Sequence, residues 1–417
     1  MLNWGNRFNI CAFLDNHQYQ LPGHRHECLA GFGMVQQVRC EIVYENINHG
    51  RGNALQQLQH FIDVTNDWCF GHLSYELKNE IENLSATHKE QIGFPLLYFF
   101  VPQYVIQLNE TELKIGSLHN DHLEIYEQIV QTKPDKAPAN SSVTIQERIS
   151  REQYISAIQK IQQHILRGDC YELNYCMEFF AEDALIDPLY VYQQLTSISP
   201  NPFSAFYKVD NSYLLCASPE RFLRKKGREL LSQPIKGTAK RSVHNTVDDE
   251  DLKQQLYKSE KDRSENVMVV DLVRNDLSRV CKEGTVKVEE LFGIYSFPQV
   301  HQMISTVSGE LKEDVSFAEI IQSTFPMGSM TGAPKRKVLQ LIDAYELTAR
   351  GIFSGAVGYI SPEKDFDLNV VIRSILYNND SRHLSYLVGS GITWYSNAEQ
   401  EYEECLLKAG AIRRVLG

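Results

Sequence analysis

The sequence has no run approaching the roughly 20 consecutive apolar residues that a membrane-crossing helix needs, so no bilayer span is expected. The opening MLNWGNRFNICAF lacks a basic segment leading into an apolar stretch and a small-residue cleavage site, and no signal peptide is expected. Paired cysteines are missing too. The nine cysteines fall singly, with no Cys-x-x-Cys spacing, and read as reduced core thiols of a cytoplasmic protein. Positive charge is also short: a formal net charge of −12 argues against nucleic acid as a partner, because such binding rests on phosphate neutralisation. A small anion could still be held by a few clustered cations or a metal ion. What is present is ordinary for a soluble globular protein: 417 residues, 43% hydrophobic and 23% charged, enough to bury a sizeable core in one to three domains.

No internal repeat is visible. One linker stands out, residues 132–142 (TKPDKAPANSS), where prolines and small polar residues interrupt the pattern. It divides a strand-rich N-terminal region, 1–131, from a region 143–417 that carries the candidate chemistry; both can share one sandwich. Before the linker, Pro95–Pro102 and Tyr104–Leu108 read as strands. After it, Ser150 and Gln153 have capping-box spacing, and Tyr154, Ile158, Ile161 and Ile165 share one helical face that stops at Gly168. Asp187-Pro188 starts another helix. One long helix is expected from Val247 to Arg274 and a last one from Ala398 to Leu416. Phe353–Ile360 and Leu368–Tyr377 read as strands, the latter pairing with His383–Val388 across Asn378-Asn379-Asp380. Neighbouring strands joined by tight turns predict an α+β fold, with antiparallel β-sheets packed as a sandwich and helices on the outside.

Several residues carry more than structure. Glu401, Glu404 and Lys408 share a stripe bordering the apolar face of the last helix, either as a boundary salt-bridge set or around a metal. Glu265 sits immediately before an apolar run, and two carboxylates from different helices suit Mg²⁺; the alternative is a solvated amphipathic helix. Gly328–Lys335 (GSMTGAPK) is a loop entering a helix, suited to an anion or merely to a backbone turn. Gly389-Ser390-Gly391 follows a strand. Arg373 falls mid-strand among apolar residues, where it needs an internal acid or a ligand carboxylate. Lys236, between Ile235 and Gly237, is either surface charge or an amine in an apolar pocket whose lowered pKa makes it a nucleophile.

In order, these segments resemble the chorismate-utilising enzymes, which include anthranilate synthase component I, aminodeoxychorismate synthase component I and the isochorismate and salicylate synthases. The resemblance is carried by SPERF (Ser218–Phe222), PIKGT (Pro234–Thr238), DRSENVMVVDLVRND (Asp262–Asp276), GSMTGAPK, RGIFSGAVGYI (Arg350–Ile360), VVIR (Val370–Arg373), GSG (Gly389–Gly391) and EYEEC (Glu401–Cys405). Trp68–Leu77 extends it upstream; the Leu-Leu-Glu-Ser element that carries tryptophan feedback in many anthranilate synthases is not found. Lysine inside PIxGT is similar to the members that aminate C4, so the resemblance implies conversion of chorismate and ammonia to 4-amino-4-deoxychorismate, toward 4-aminobenzoate and folate. Lys236 would attack ring C2, and Glu220 would protonate the leaving hydroxyl and serve the incoming nitrogen. Glu265 and Glu404, with Glu401 beside them, would hold Mg²⁺. Arg373, Lys408, Gly389, Ser390, Gly391, Ser329, Thr331 and Thr238 would bind substrate. A separate glutamine amidotransferase chain is the implied ammonia source.

Two departures from the family pattern stand out. Glu172 occupies a position where ammonia-using members often have Gln and water-adding members Lys. Gln302 aligns with the family's catalytic histidine, while His301 beside it should face the other way on a strand. The alternatives are an anthranilate synthase component, and a chorismate-binding regulatory subunit without turnover.

Overall fold

In the strand Glu172–Ala181, alternate residues take opposite tasks: Leu173, Tyr175, Met177 and Phe179 pack with the outer helices, whereas Cys176 joins the core that draws on both sheets. The same alternation repeated along the chain builds two antiparallel sheets with helices against their outer faces. The computed structural model describes residues 1–19, 26–43, 53–85, 88–133, 143–242 and 245–417.

The 11-stranded sheet runs Gly332–Ala333, Glu172–Ala181, His383–Ile392, Ser374–Asn378, Ser212–Ser218, Phe203–Val209, Ile10–Asp15, Cys28–Phe32, Tyr104–Leu108, Leu113–Ser117, with Gln146–Glu147 pairing beside Glu172–Ala181. The 10-stranded sheet runs Ile235–Lys240, Val300–Glu310, Glu229–Gln233, Arg221–Lys226, Phe366–Asn369, Ala356–Ile360, Cys69–Leu73, Leu97–Val101, Gln36–Cys40, with Lys287–Ser296 against Val300–Glu310. Strands from before residue 131 enter both sheets: Ile10–Asp15 pairs with Phe203–Val209, and Cys69–Leu73 with Ala356–Ile360. Of the proposed linker, residues 134–142 lie outside the described residues.

The helix Arg151–Leu166 begins at a capping box formed by Ser150 and Gln153. Its side chains Tyr154, Ile158 and Ile161 are fully buried, and each such burial contributes about 1.5–3 kcal/mol. Tertiary packing, more than intrinsic propensity, therefore holds this helix. Pro188–Ile198 is N-capped by Asp187, and the last helix spans Ala398–Leu416 as expected.

Three expectations are corrected. The long helix is two, Thr246–Lys258 and Glu260–Val280, because Ser259 adopts an extended conformation and its hydroxyl accepts from the Asp262 N–H to cap the second. The strand after Phe353 starts only at Ala356. The run Leu368–Tyr377 is not one strand: Phe366–Asn369 belongs to one sheet and Ser374–Asn378 to the other. Between them the chain crosses the sandwich, with Arg373 at φ 51°. The run reads as continuous because both inner faces demand apolar residues. Arg373 therefore stands at a crossover, not mid-strand.

Candidate active site

Strands of both sheets and two helices line a cavity of ≈ 120 Å³. Its walls include Glu220, Lys236, Thr238, Glu265, Gln302, Ser329, Arg373, Gly389, Gly391, Glu404 and Lys408. A neighbouring cleft of ≈ 360 Å³ is lined by four of the same residues, Thr238, Arg373, Glu404 and Lys408.

Strand parity decides which side chains reach it. On His383–Ile392, Gly389 and Gly391 face the cavity, while Ser390 between them points to the helix side and its hydroxyl meets Tyr154 Oη at 3.0 Å. The glycines are required by close approach: a Cβ on Gly391 would lie 2.6 Å from Lys236 Nζ and 2.7 Å from Glu172 Oε1. On Val300–Glu310, Gln302 lines the cavity with a buried Oε1 that has no hydrogen-bond partner among the described residues, and His301 faces away to Ser296 (2.8 Å) and Asp249 (3.2 Å). Thr331 is not on the wall; its hydroxyl donates to the Met327 carbonyl at 3.1 Å.

Lys236 and Glu172 form a buried ion pair, Nζ to Oε1 2.7 Å. Burial pulls the Lys236 ammonium down, but Glu172, Glu265 and Glu404 outweigh it and hold the group above its ordinary range. The expectation of a lowered pKa in an apolar pocket is thus reversed, because the pocket is lined with carboxylates. Glu220 is 3% exposed. Burial pushes its carboxyl up to about 7, against the opposing pull of Ser329, Lys236, the Ile235 N–H and Arg373. Burial draws the Arg373 guanidinium down to about 10, with Glu220 opposing. Arg373 has no ion-pair partner among the described residues, which leaves a cation facing the cavity for a ligand anion.

Two carboxylates from different helices face the same space, Glu265 and Glu404. Burial pushes Glu265 up to about 7, and its buried Oε1 makes no hydrogen bond among the described residues; Lys261 Nζ lies 3.8 Å from it. Lys408 holds Glu404 below its ordinary range from 2.8 Å and also donates to the Gly389 carbonyl at 2.8 Å. Glu401 is off the wall, with Oε1 2.9 Å from Lys261 Nζ. The described residues gather no set of three or more metal-ligating side chains. Magnesium, which keeps waters and substrate oxygens, needs only one or two carboxylates, and a Glu265 oxygen without a hydrogen bond among the described residues, lining the same cavity as Glu404, fits it.

Residues missed in the sequence are Asn174, Lys261 and Asn266. Asn174 lines the cavity and donates to the Ser329 carbonyl at 3.3 Å; its signal was its position two residues beyond Glu172 on one strand. Buried Asn266 accepts from Ser305 Oγ at 2.6 Å behind Lys236.

Among known proteins, residues 15–414 match the family described as chorismate binding enzyme. The aminodeoxychorismate synthase of Arabidopsis thaliana, a chloroplastic protein, is 40% identical over 307 residues, covering 73% of this chain and 33% of that protein. This chain thus spans about a third of that relative's length. Aminodeoxychorismate synthase component 1 of Escherichia coli is 31% identical over 350 residues, covering 84% of this chain and 76% of that one. The crystal structure of anthranilate synthase component I from Streptococcus pneumoniae superposes with a TM-score of 0.80 at 23% identity, covering 96% of this chain and 94% of that one. The fold is the α+β sandwich expected from the sequence.

Proposed function

The chain belongs to the chorismate binding enzyme family, and we propose that it aminates chorismate at C4, with ammonia, to give 4-amino-4-deoxychorismate. The observation that carries this reading is Lys236, which lines the cavity on a wall shared with Glu220 and Arg373. Arg373 binds a substrate carboxylate, assisted by Lys408 and the Gly389 and Gly391 backbone. As a free amine, Lys236 attacks ring C2 while Glu220, whose raised pKa lets it carry a proton near neutral pH, protonates the departing C4 hydroxyl. Ammonia then adds at C4, gives up a proton to Glu220, and the lysine leaves. Thr238, Ser329 and Gln302 supply polar groups to the same wall.

Glu265 and Glu404 would hold magnesium, which would supply positive charge to a substrate carboxylate when bound. Ammonia comes from glutamine through a separate glutamine amidotransferase chain; that the E. coli relative is a component 1 supports a second component. Nine free cysteines support a reducing, cytoplasmic setting, and no helix among the described residues is long and apolar enough to cross a membrane.

The test is Lys236→Ala. Amination at C4 should be lost while chorismate, followed by tryptophan fluorescence, still binds. Full turnover by the variant would rule out the covalent route.

A further inference from the structure

This inference rests on the reading of Lys236 as the nucleophile and concerns how that nucleophile is made. An ammonium has no lone pair, so Lys236 must surrender a proton before its Nζ can bond to carbon. The groups facing Lys236 are Glu172, Glu220, Glu265, Glu404 and Lys408. Of the carboxylates, Glu172 alone reaches ion-pairing distance of the Lys236 Nζ among the described residues, at 2.7 Å. Glu265 and Glu404 act on Lys236 only through their field.

The contact is built rather than incidental. Both side chains are almost fully buried, at 9% and 4% exposure. Glu172 stands at the start of its strand, paired across the sheet with Ala333 of the GSMTGAPK segment. Gly391 presents no side chain where any Cβ would collide with both partners. A purely stabilising pair would be an odd use of this position, since well-packed apolar residues often serve stability equally well. A proton acceptor 2.7 Å from the amine of a cavity-lining lysine has a chemical use.

We propose that Glu172 is the catalytic base that takes the proton from the Lys236 ammonium as the amine attacks. The proton passes from Nζ to Oε1. The nitrogen lone pair forms the C2–N bond, the C1=C2 and C5=C6 double bonds move to C1=C6 and C4=C5, and the C4–O bond breaks. The oxygen departs as water with the proton of Glu220. When ammonia adds at C4 the double bonds return, the C2–N bond breaks, and the released amine recovers its proton from Glu172.

The experiment compares wild type, Glu172→Gln and Glu172→Asp with chorismate and magnesium. It follows the lysine adduct by intact-protein mass without ammonia, and kcat against pH with ammonium. Glu172→Gln should slow adduct formation and kcat at pH 7 by about 100- to 10,000-fold. Its rate should climb tenfold per pH unit, as solvent replaces the missing base, while chorismate affinity stays within threefold. Glu172→Asp keeps a carboxylate and should recover part of the rate with the flatter wild-type profile. A Glu172→Gln enzyme with wild-type rate and profile overturns the proposal, as does a Glu172→Asp enzyme as slow and as steep as it. If wild type itself forms neither the adduct nor a 4-amino product, the reading of Lys236 fails, and the base falls with it.

Discussion

Gly391→Ala puts a single methyl group into the Lys236–Glu172 contact on which the proposed chemistry depends. An ideal Cβ there lies 2.6 Å from Lys236 Nζ and 2.7 Å from Glu172 Oε1, against about 3.5 Å for a comfortable non-bonded contact. Both side-chain ends must retreat by the better part of an ångström. A misplacement of that size costs about 100-fold in rate. The stability cost should stay below the about 3–5 kcal/mol of a broken buried pair, because Glu265 and Glu404 remain as neighbours of the displaced ammonium. Steady-state kinetics with ammonium should show kcat down about 100-fold, alongside a thermal transition shifted by a few degrees. Wild-type kcat in a folded variant would refute the claim that this contact is tightly set.

Three further outcomes follow from the same site. Burial raises the Glu220 carboxyl from 4.5 to about 7 in the folded protein, so its contribution to stability is full below pH 4.5 and lost as the pH climbs through 7. That loss amounts to about 3 kcal/mol. Without magnesium, denaturant unfolding at pH 5 and pH 8 should include it, and Glu220→Gln should shrink the difference by that amount while the contribution of Glu265, raised in the same way, remains. Arg373→Lys keeps the charge but loses the bidentate fork, and should raise the chorismate KM by about 10- to 100-fold, equivalent to ~1.4–2.7 kcal/mol; an unchanged KM would remove Arg373 from substrate binding. Glu265→Gln should raise the magnesium concentration that gives half-maximal rate at least tenfold, measured by magnesium titration. An unaltered titration would exclude Glu265 as a ligand.

Much of this site was legible because its residues lie in short motifs whose chemistry is local. PIKGT, SPERF and the last helix each announced a charged side chain against an apolar background, and all three converge on one cavity. Strand parity was legible too: it separates Gln302 from His301 without any coordinates. What failed was long-range. The crossover at Arg373 is hidden because both sheets present apolar inner faces to the same run. The Ser259 break is hidden because serine at a helix cap looks like any polar residue on a solvated helix. The state of Lys236 was misjudged because its three carboxylate neighbours come from strands and helices distant in sequence. Ser390, Thr331 and Glu401 sit in the right motifs but are turned toward Tyr154, Met327 and Lys261.

The carbon that receives the nitrogen decides the role of Lys236. Incubating the protein with chorismate, magnesium and ammonium, and resolving the products by chromatography and mass spectrometry, should yield 4-amino-4-deoxychorismate with the enolpyruvyl group retained. Anthranilate and pyruvate in its place would contradict the role given to Lys236 and move the reaction to the other side of the ring.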